Sequence, residues 1–469
     1  MAKTKQDIQE PDRLFFDLKQ DIDYRNKLTW KGLNAELITE ISRKKKEPAW
    51  MREFRLRSLE IYKSKPMPQW GPDLSDLDVN EIITYIDPDF KKQNSWDEVP
   101  EEIKEIFTAL GIPKAEQESL AGVGAQFDSE IVYQNMRDEL AKQGVIYMDM
   151  ETALQEYEDI VREHFMKLVP PEDHKFAALH GAVWSGGSFV YVPEGVQVDI
   201  PLQSYFRLNA PGAGQFEHTL IIVEKGASLQ FIEGCSAPKY SVNNLHAGCV
   251  ELYVREGARL RYSTIENWSK NMYNLNTKRA LVEKDGLIEW ISGSFGSKVS
   301  MLYPMSILKG EGARAEFTGI SFASKGQILD TGAKILHAAP GTTSTINSRS
   351  IARDGGKVFY RGLVKVLPEA VNSKASVSCE SLMLDSHSRS DTVPVIDIRN
   401  DQVDFGHEAK VGRISEEAIY YLMSRGISEE EARALIVRGF VEPIAKEFPL
   451  EYAVELNNLL KIELEGTIG

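Results

Sequence analysis

Residues Gln215–Trp268 read QFEHTLIIVEKGASLQFIEGCSAPKYSVNNLHAGCVELYVREGARLRYSTIENW, and the stretch states one pattern twice. An apolar, β-branched run closes on the charged turn Val223-Glu224-Lys225-Gly226, and 31 residues later the turn returns as Val254-Arg255-Glu256-Gly257. Each glycine is followed by an alanine and an alternating segment, Ser228-Leu229-Gln230-Phe231 and then Arg259-Leu260-Arg261-Tyr262. Gly195 precedes the first copy by 31 residues, while Gly286 and Gly312 follow Gly257 at intervals of 29 and 26. A period of this length with strand-like alternation means stacked rungs, each burying its inner face against its neighbours, with corner glycines supplying positive φ. Val, Ile, Thr, Tyr and Gly dominate where a helical repeat would carry Ala, Leu and Glu. The sequence therefore predicts a mainly β chain built on a right-handed parallel β-helix. The rung length sets a register, with Cys235 over Glu266, Glu233 over Thr264, and Cys249 between His218 and Lys278.

The flanks read differently. Residues 1–165 are expected to form a mostly helical domain, with helices over Asn34–Lys44, Trp50–Tyr62, Glu101–Gly111, Ser129–Gln143 and Thr152–Leu168. Residues 166–412 form the β-helix core, and residues 413–469 are helical again. There Ser428 and Glu431 make a capping box, Arg425-Gly426 and Arg438-Gly439 read as helix ends, and a further helix starts at Pro449.

Composition and motifs narrow the chemistry. A formal charge of −15 argues against nucleic acid or an anionic membrane as the main partner. No apolar run approaches the roughly 18–20 residues that cross a bilayer. The start, MAKTKQDIQEPDRLFFD, lacks the apolar core of a secretory signal, so a cytoplasmic location is expected. Neither G-x-x-x-x-G-K-[ST] nor G-x-G-x-x-G occurs, so any ATP dependence must come from a partner; H-E-x-x-H, C-x-x-C and G-x-S-x-G are missing too. Three cysteines cannot give one cluster four thiolates. Cys379 lies in an alternating strand and is followed by His387, His407 and Glu408, all capable metal ligands. Cys235 lies in Glu233-Gly234-Cys235-Ser236-Ala237-Pro238, which reads as a turn with exposed backbone, while Cys249 reads as packing. A site assembled from so few thiolates is incomplete within one chain and suits transfer rather than storage.

The runs GQFEHTLIIVEKGASLQFIEGCSAP, NLHAGCVELYVREGARLRYSTIENW and NTKRAL resemble the SufB/SufD family of the Suf iron–sulfur cluster assembly machinery. GVGAQFDSEIVY and the tail GHEAKVGRISEEAIYYLMSRGISEEEARALIVRGF continue the likeness, which spans roughly residues 85–469. FIEGC and YSTIENW, with Cys379 and His407-Glu408, are similar to the B-type members. The resemblance implies a non-enzymatic scaffold that accepts persulfide sulfur, builds a labile iron–sulfur cluster, [4Fe-4S] or [2Fe-2S], and passes it to apo-proteins. It makes Cys235 the sulfur acceptor, and Arg207, Asn209, Thr264, Glu266, Trp268 and Lys278 the sulfur path. Cys379 and Glu408, with His407, become cluster ligands, completed by a histidine from a SufD subunit. Implied partners are the ATPase SufC at the C-terminal helices, SufD or a second copy at the β-helix end, and the cysteine desulfurase SufS with its carrier SufU or SufE. Reduced flavin is an implied cofactor. The chain departs from some relatives in having no cysteine before Cys235, in carrying Glu266 where they have glutamine, and in having Gly406 before His407. Alternative readings are a structural SufD-like paralogue and a β-helix polysaccharide lyase.

Overall fold

The computed structural model describes residues 28–87 and 92–448. Its centre is a parallel β-solenoid of about eight turns, made of two sheets that face each other. The strands Gln197–Arg207, Ser228–Ser236, Arg259–Trp268, Leu287–Gly296, Arg314–Ala323, Thr343–Ala352, Ser373–Met383 and Val403–Arg413 stack in that order in the first sheet. The second sheet stacks His218–Val223, Cys249–Val254, Thr277–Val282 and their successors. Period-two alternation decides which side chains enter the core. Phe231, Tyr262, Trp290 and Phe317 are register partners on successive rungs and are all buried. Their ladder of rings, with Phe231 and Tyr262 centroids 5.6 Å apart, fills the inside of the first sheet.

The left-handed corner residues are Gly195, Gly226, Gly257, Asp285, Gly312 and Gly341. They explain where the expected register holds and where it slips. Cys235 lies opposite Glu266, Glu233 opposite Thr264, and Cys249 opposite His218, as the 31-residue rungs require. Cys249 does not meet Lys278; its partner on the next rung is Thr277. The positive-φ corner of that rung is Asp285 rather than Gly286, which shortens the turn by one residue.

Helices do form over Ala35–Lys44, Ala49–Ser64, Glu101–Ala109, Met150–Glu156 and Glu158–His164. The expectation of a helix over Ser129–Gln143 is overturned: Glu130–Met136 is a strand, followed by the short helix Asp138–Lys142. The run Ile131-Val132-Tyr133 is β-branched and aromatic, and the strand pairs antiparallel with Gly122–Phe127. Gly122–Phe127 in turn adds in parallel to Gln197–Arg207, so this hairpin closes one end of the first sheet. At the C-terminal side, the Ser428–Glu431 capping box is present and Gly426 ends its helix with φ of 85°. Arg438-Gly439 is not a helix end, because the helix Glu429–Ala445 runs through it. Val437, Val441 and Ile444 form its buried stripe, packed with Ile265, Ile291 and Ile320 on the outer face of the first sheet. That long apolar contact carries the helix past the glycine. The helix expected from Pro449 lies outside the described residues. Among the described residues no helix is long and apolar enough to cross a membrane.

Candidate functional site

Inward-facing positions of the first sheet change from aromatic to polar along each strand. Phe231 is followed inward by Glu233 and Cys235, and Tyr262 by Thr264, Glu266 and Trp268. Cys235 is therefore a strand residue, 1 % exposed, and not the exposed turn that its Gly-Cys-Ser-Ala-Pro context suggests. Lys278 enters from the facing sheet. Its Nζ lies 2.9 Å from Glu233 Oε1, 3.1 Å from Thr264 Oγ1 and 3.5 Å from Glu266 Oε1. Tyr262 donates its hydroxyl to the other oxygen of Glu233. Asn274 Nδ2 donates to Glu266 Oε2 at 2.7 Å, while Asn274 Oδ1 lies 2.7 Å from His246 Nδ1, whose ring also contacts Glu217 and Trp268.

The electrostatics favour the neutral thiol. Burial, then the carboxylates of Glu233, Glu217 and Glu266, push the Cys235 thiol well above its ordinary range, and Lys278 offsets this only in part. Burial works against the Lys278 charge, but Glu233 and Glu266 outweigh it and hold the ammonium above the ordinary lysine range. Arg207 is brought to Ser236, one residue past Cys235, with Nη1 to Oγ at 3.0 Å. Asn209 is buried beside it, its backbone N–H on Asp128 Oδ1 at 2.7 Å, and Trp268 shares an apolar cluster with Cys235 and Phe206.

A column of small residues leads away from this cluster. Thr264 is in register with Ser292, Ser292 with Gly319, Gly319 with Ser348, and Ser348 with Cys379. Two narrow cavities, each of about 10 Å³, line up along it. One is bounded by Thr264, Glu266, Lys278 and Ser292; the other by Ser292, Ser294, Gly319 and Ser348. Gly319 is required there, since a Cβ would fall 2.7 Å from the Phe317 ring.

Cys379 closes the column one strand from the end of the sheet. Burial raises its pKa to about 11, partly offset by the neighbouring Tyr360 hydroxyl. His407 lies opposite Val377 on the last strand, on the same sheet face as Cys379, whereas Glu408 lies opposite Ser378 on the other face. Glu408 pairs with Lys410 at 2.8 Å, and His387 sits in an exposed turn. The structure thus gathers Cys235, Glu233, Thr264, Glu266, Trp268 and Lys278, but does not bring Cys379, His407 and Glu408 into one ligand set. Sequence reasoning missed Glu217, His246, Asn274 and Tyr262; parity with the aromatic ladder could have found Tyr262, whereas His246 and Asn274 come from short strands of the facing sheet and Glu217 from the segment before His218–Val223. Cys249, read as packing, packs with Val169 and Ala177, and it also lies close to two histidines.

These features define a class: a parallel β-solenoid whose interior carries buried thiols and a column of small residues ending at one of them. The match to the family model described as SUF system FeS cluster assembly, SufBD core domain, covers residues 206–440, and the SufBD protein N-terminal region matches residues 35–204. The iron-sulfur cluster assembly protein SufB of Bacillus subtilis is 54 % identical over 469 residues, the whole of both chains. A SufBD family protein of Staphylococcus epidermidis is 52 % identical, also over both whole chains, and one of Staphylococcus aureus is 53 % identical over 94 % of each. The chain belongs to the SufB/SufD family of iron–sulfur cluster assembly proteins.

Proposed function

We propose that the chain is a B-type assembly scaffold that accepts sulfur at Cys235, conducts it along the inner column and assembles a cluster at the Cys379 end. The observation that carries this reading is the unbroken register from Thr264 through Ser292, Gly319 and Ser348 to Cys379, with cavities along it. In the loading step the Cys235 thiolate attacks the outer sulfur of a donor persulfide, the donor's inner sulfur leaves as thiolate, and Cys235 becomes the persulfide, with no net redox change. Lys278 is placed to offset the charge of that thiolate. The buried carboxylates hold Cys235 protonated until a donor arrives and keep premature oxidation low.

Sulfane sulfur needs two electrons to become sulfide, and reduced flavin would supply them when bound. A pocket of about 430 Å³ between the segment near Trp70 and the solenoid is where such a group would be held: the Trp70 and Tyr303 rings line it, and Lys65 and Lys334 would face its phosphate. Iron and the growing cluster are substrates, held by Cys379 and His407 on one sheet face together with a SufD subunit or a second copy, with Glu408 reached only from the opposite face of the edge strand. The exposed Tyr420, Tyr421, Met423 and Leu435 on the C-terminal helices suit docking of the ATPase SufC. Sulfur delivery falls to a cysteine desulfurase, SufS, with SufU or SufE, and apo iron–sulfur proteins are the acceptors.

The test is anaerobic reconstitution with iron, the desulfurase system, SufC and SufD. Cys235→Ser is expected to take up no sulfane sulfur by intact mass spectrometry while keeping native melting. Cys379→Ser is expected to load sulfur at Cys235 but to lose the visible absorption of the cluster. Native loading of Cys235→Ser would refute the acceptor role.

A further inference from the structure

His180 lies on the buried helix Lys175–Val183, and His218 and Cys249 open two adjacent strands of the second sheet, where they are register partners. All three are at most 1 % exposed, and one donor atom from each lies within 4.8 Å of the others. The two rings meet at His180 Nε2 and His218 Nδ1, 3.0 Å apart. What the outer nitrogens touch decides what happens between the inner ones. His180 Nδ1 is 3.0 Å from the Ala247 carbonyl oxygen, which can only accept, so Nδ1 carries the proton and Nε2 presents a lone pair. His218 Nε2 faces Glu251 Oε2 at 3.3 Å. Glu251 is pinned by three backbone N–H donors, from Met166, Leu168 at 2.6 Å and Val169 at 2.9 Å. His218 Nε2 makes no hydrogen bond there, and the 3.0 Å contact between the rings is a hydrogen bond in which His218 Nδ1–H donates to the His180 Nε2 lone pair.

Two imidazoles sharing one proton, a ring nitrogen without a partner and a thiol thus converge in one dry site. Phe165 and Trp184 pack on the His218 ring, with the Phe165 centroid at 4.2 Å, and shut out water. We propose that His180, His218 and Cys249 form a binding site for a zinc-class divalent cation, separate from the thiols of the sulfur path and the cluster end. Two imidazoles and a thiolate suit a borderline-soft metal. Two bonds of roughly 2.0–2.1 Å at a tetrahedral angle set the nitrogens about 3.3 Å apart, close to the separation seen. His180 also has its outer N–H on a carbonyl, the arrangement that orients metal-bound histidines. Binding through a thiolate and both ring nitrogens releases the Cys249 thiol proton and the proton between the two rings, and the cation takes their place. The metal would tie the helix Lys175–Val183 to the second sheet and enter as the chain folds.

The test uses full-length chain produced with zinc or cobalt in the growth medium and purified without chelator. About one tightly held metal per chain is expected, with a thiolate-to-cobalt charge-transfer band in the cobalt form. Cys249→Ser should lose that band and weaken metal retention about tenfold or more, whereas Cys235→Ser and Cys379→Ser should retain both. Should Cys249→Ser fail to fold, X-ray absorption on the zinc-loaded native chain decides without any variant: one sulfur and at least two nitrogens are expected. A chain that keeps no metal, a first shell without sulfur, or loss of the band in Cys379→Ser rather than Cys249→Ser overturns the proposal.

Discussion

At the scale of single residues, Lys278 is the group on which the interior depends. It is buried and faces two carboxylates, Glu233 and Glu266, that have little other positive charge to answer them. Removing one partner of a buried ion pair leaves uncompensated charge, so Lys278→Met is expected to cost about 3–5 kcal/mol in urea denaturation. Adding Glu233→Gln to that variant should recover part of the loss; an unchanged Lys278→Met midpoint would show that the carboxylates are neutral. His337 makes a prediction about acid. Burial holds its pKa down to about 4, with Thr342 Oγ1 and Ser344 Oγ at 2.8 and 2.9 Å from its ring nitrogens. A depressed histidine resists protonation only when folded, so its contribution is complete above pH ~6.5 and is lost as pH falls towards about 4. Stability curves measured between those limits should be shallower in His337→Gln than in the native chain. An identical slope would assign the acid limb to other groups.

At the scale of elements, the rungs were legible because corner and strand each carry their own chemistry. Gly226 and Gly257 sit at positive φ, and the 31-residue spacing put Cys235 on Glu266. The next rung was misread because Asp285 adopts the left-handed corner and Gly286 does not; spacing between glycines is a proxy for spacing between corners. Local context also misled at Cys235 and at Glu130–Met136. Gly-Cys-Ser-Ala-Pro has turn composition, and only stacking between two neighbouring strands holds it extended. Charged positions in Glu130–Met136 and the helix after it mimic amphipathic helix, while pairing with Gly122–Phe127 decides for strand. The histidine–cysteine trio was unreadable for another reason: its members come from a helix and two strands that only the docked fold unites. The corner argument can be checked at Gly226, where an added Cβ meets no atom within 4 Å. Gly226→Ala is therefore purely a backbone test, expected to cost about 1–2 kcal/mol, while alanine at Gly406, whose φ is not positive, should leave the denaturation midpoint within about 0.5 kcal/mol. Equal effects at the two sites would remove the reason for the glycine corners.

At the scale of the whole molecule, the two ends of the solenoid are not alike. The antiparallel strands Glu130–Met136 and Ile146–Asp149 cover the first rungs, whereas Arg389–Ile398 and Val403–Arg413 are both unpaired on their outer sides among the described residues. Such an edge invites another strand unless charge or a covering element blunts it. Here Val395, which is 50 % exposed, and the exposed Ile396, Ile398 and Val411 stand among charged residues such as Asp397, Glu408 and Lys410. The same end holds Cys379, with His407 on the edge strand itself and Glu408 turned to the opposite face. A second subunit seated on this edge would bring further ligands to a set that one chain leaves incomplete, so association and cluster retention should fail together. Ile396→Lys with Val411→Glu places charge on both edge strands without touching Cys379, His407 or Glu408. The double variant is expected to keep the native melting temperature, to run as a monomer in light scattering against a dimer expected of the native chain or of its mixture with SufD, and to hold no cluster after reconstitution. Sulfur loading at Cys235, far along the column, should be unaffected. A variant that stays dimeric would move the interface elsewhere, and one that is monomeric yet keeps a full cluster would show that a single chain supplies all the ligands.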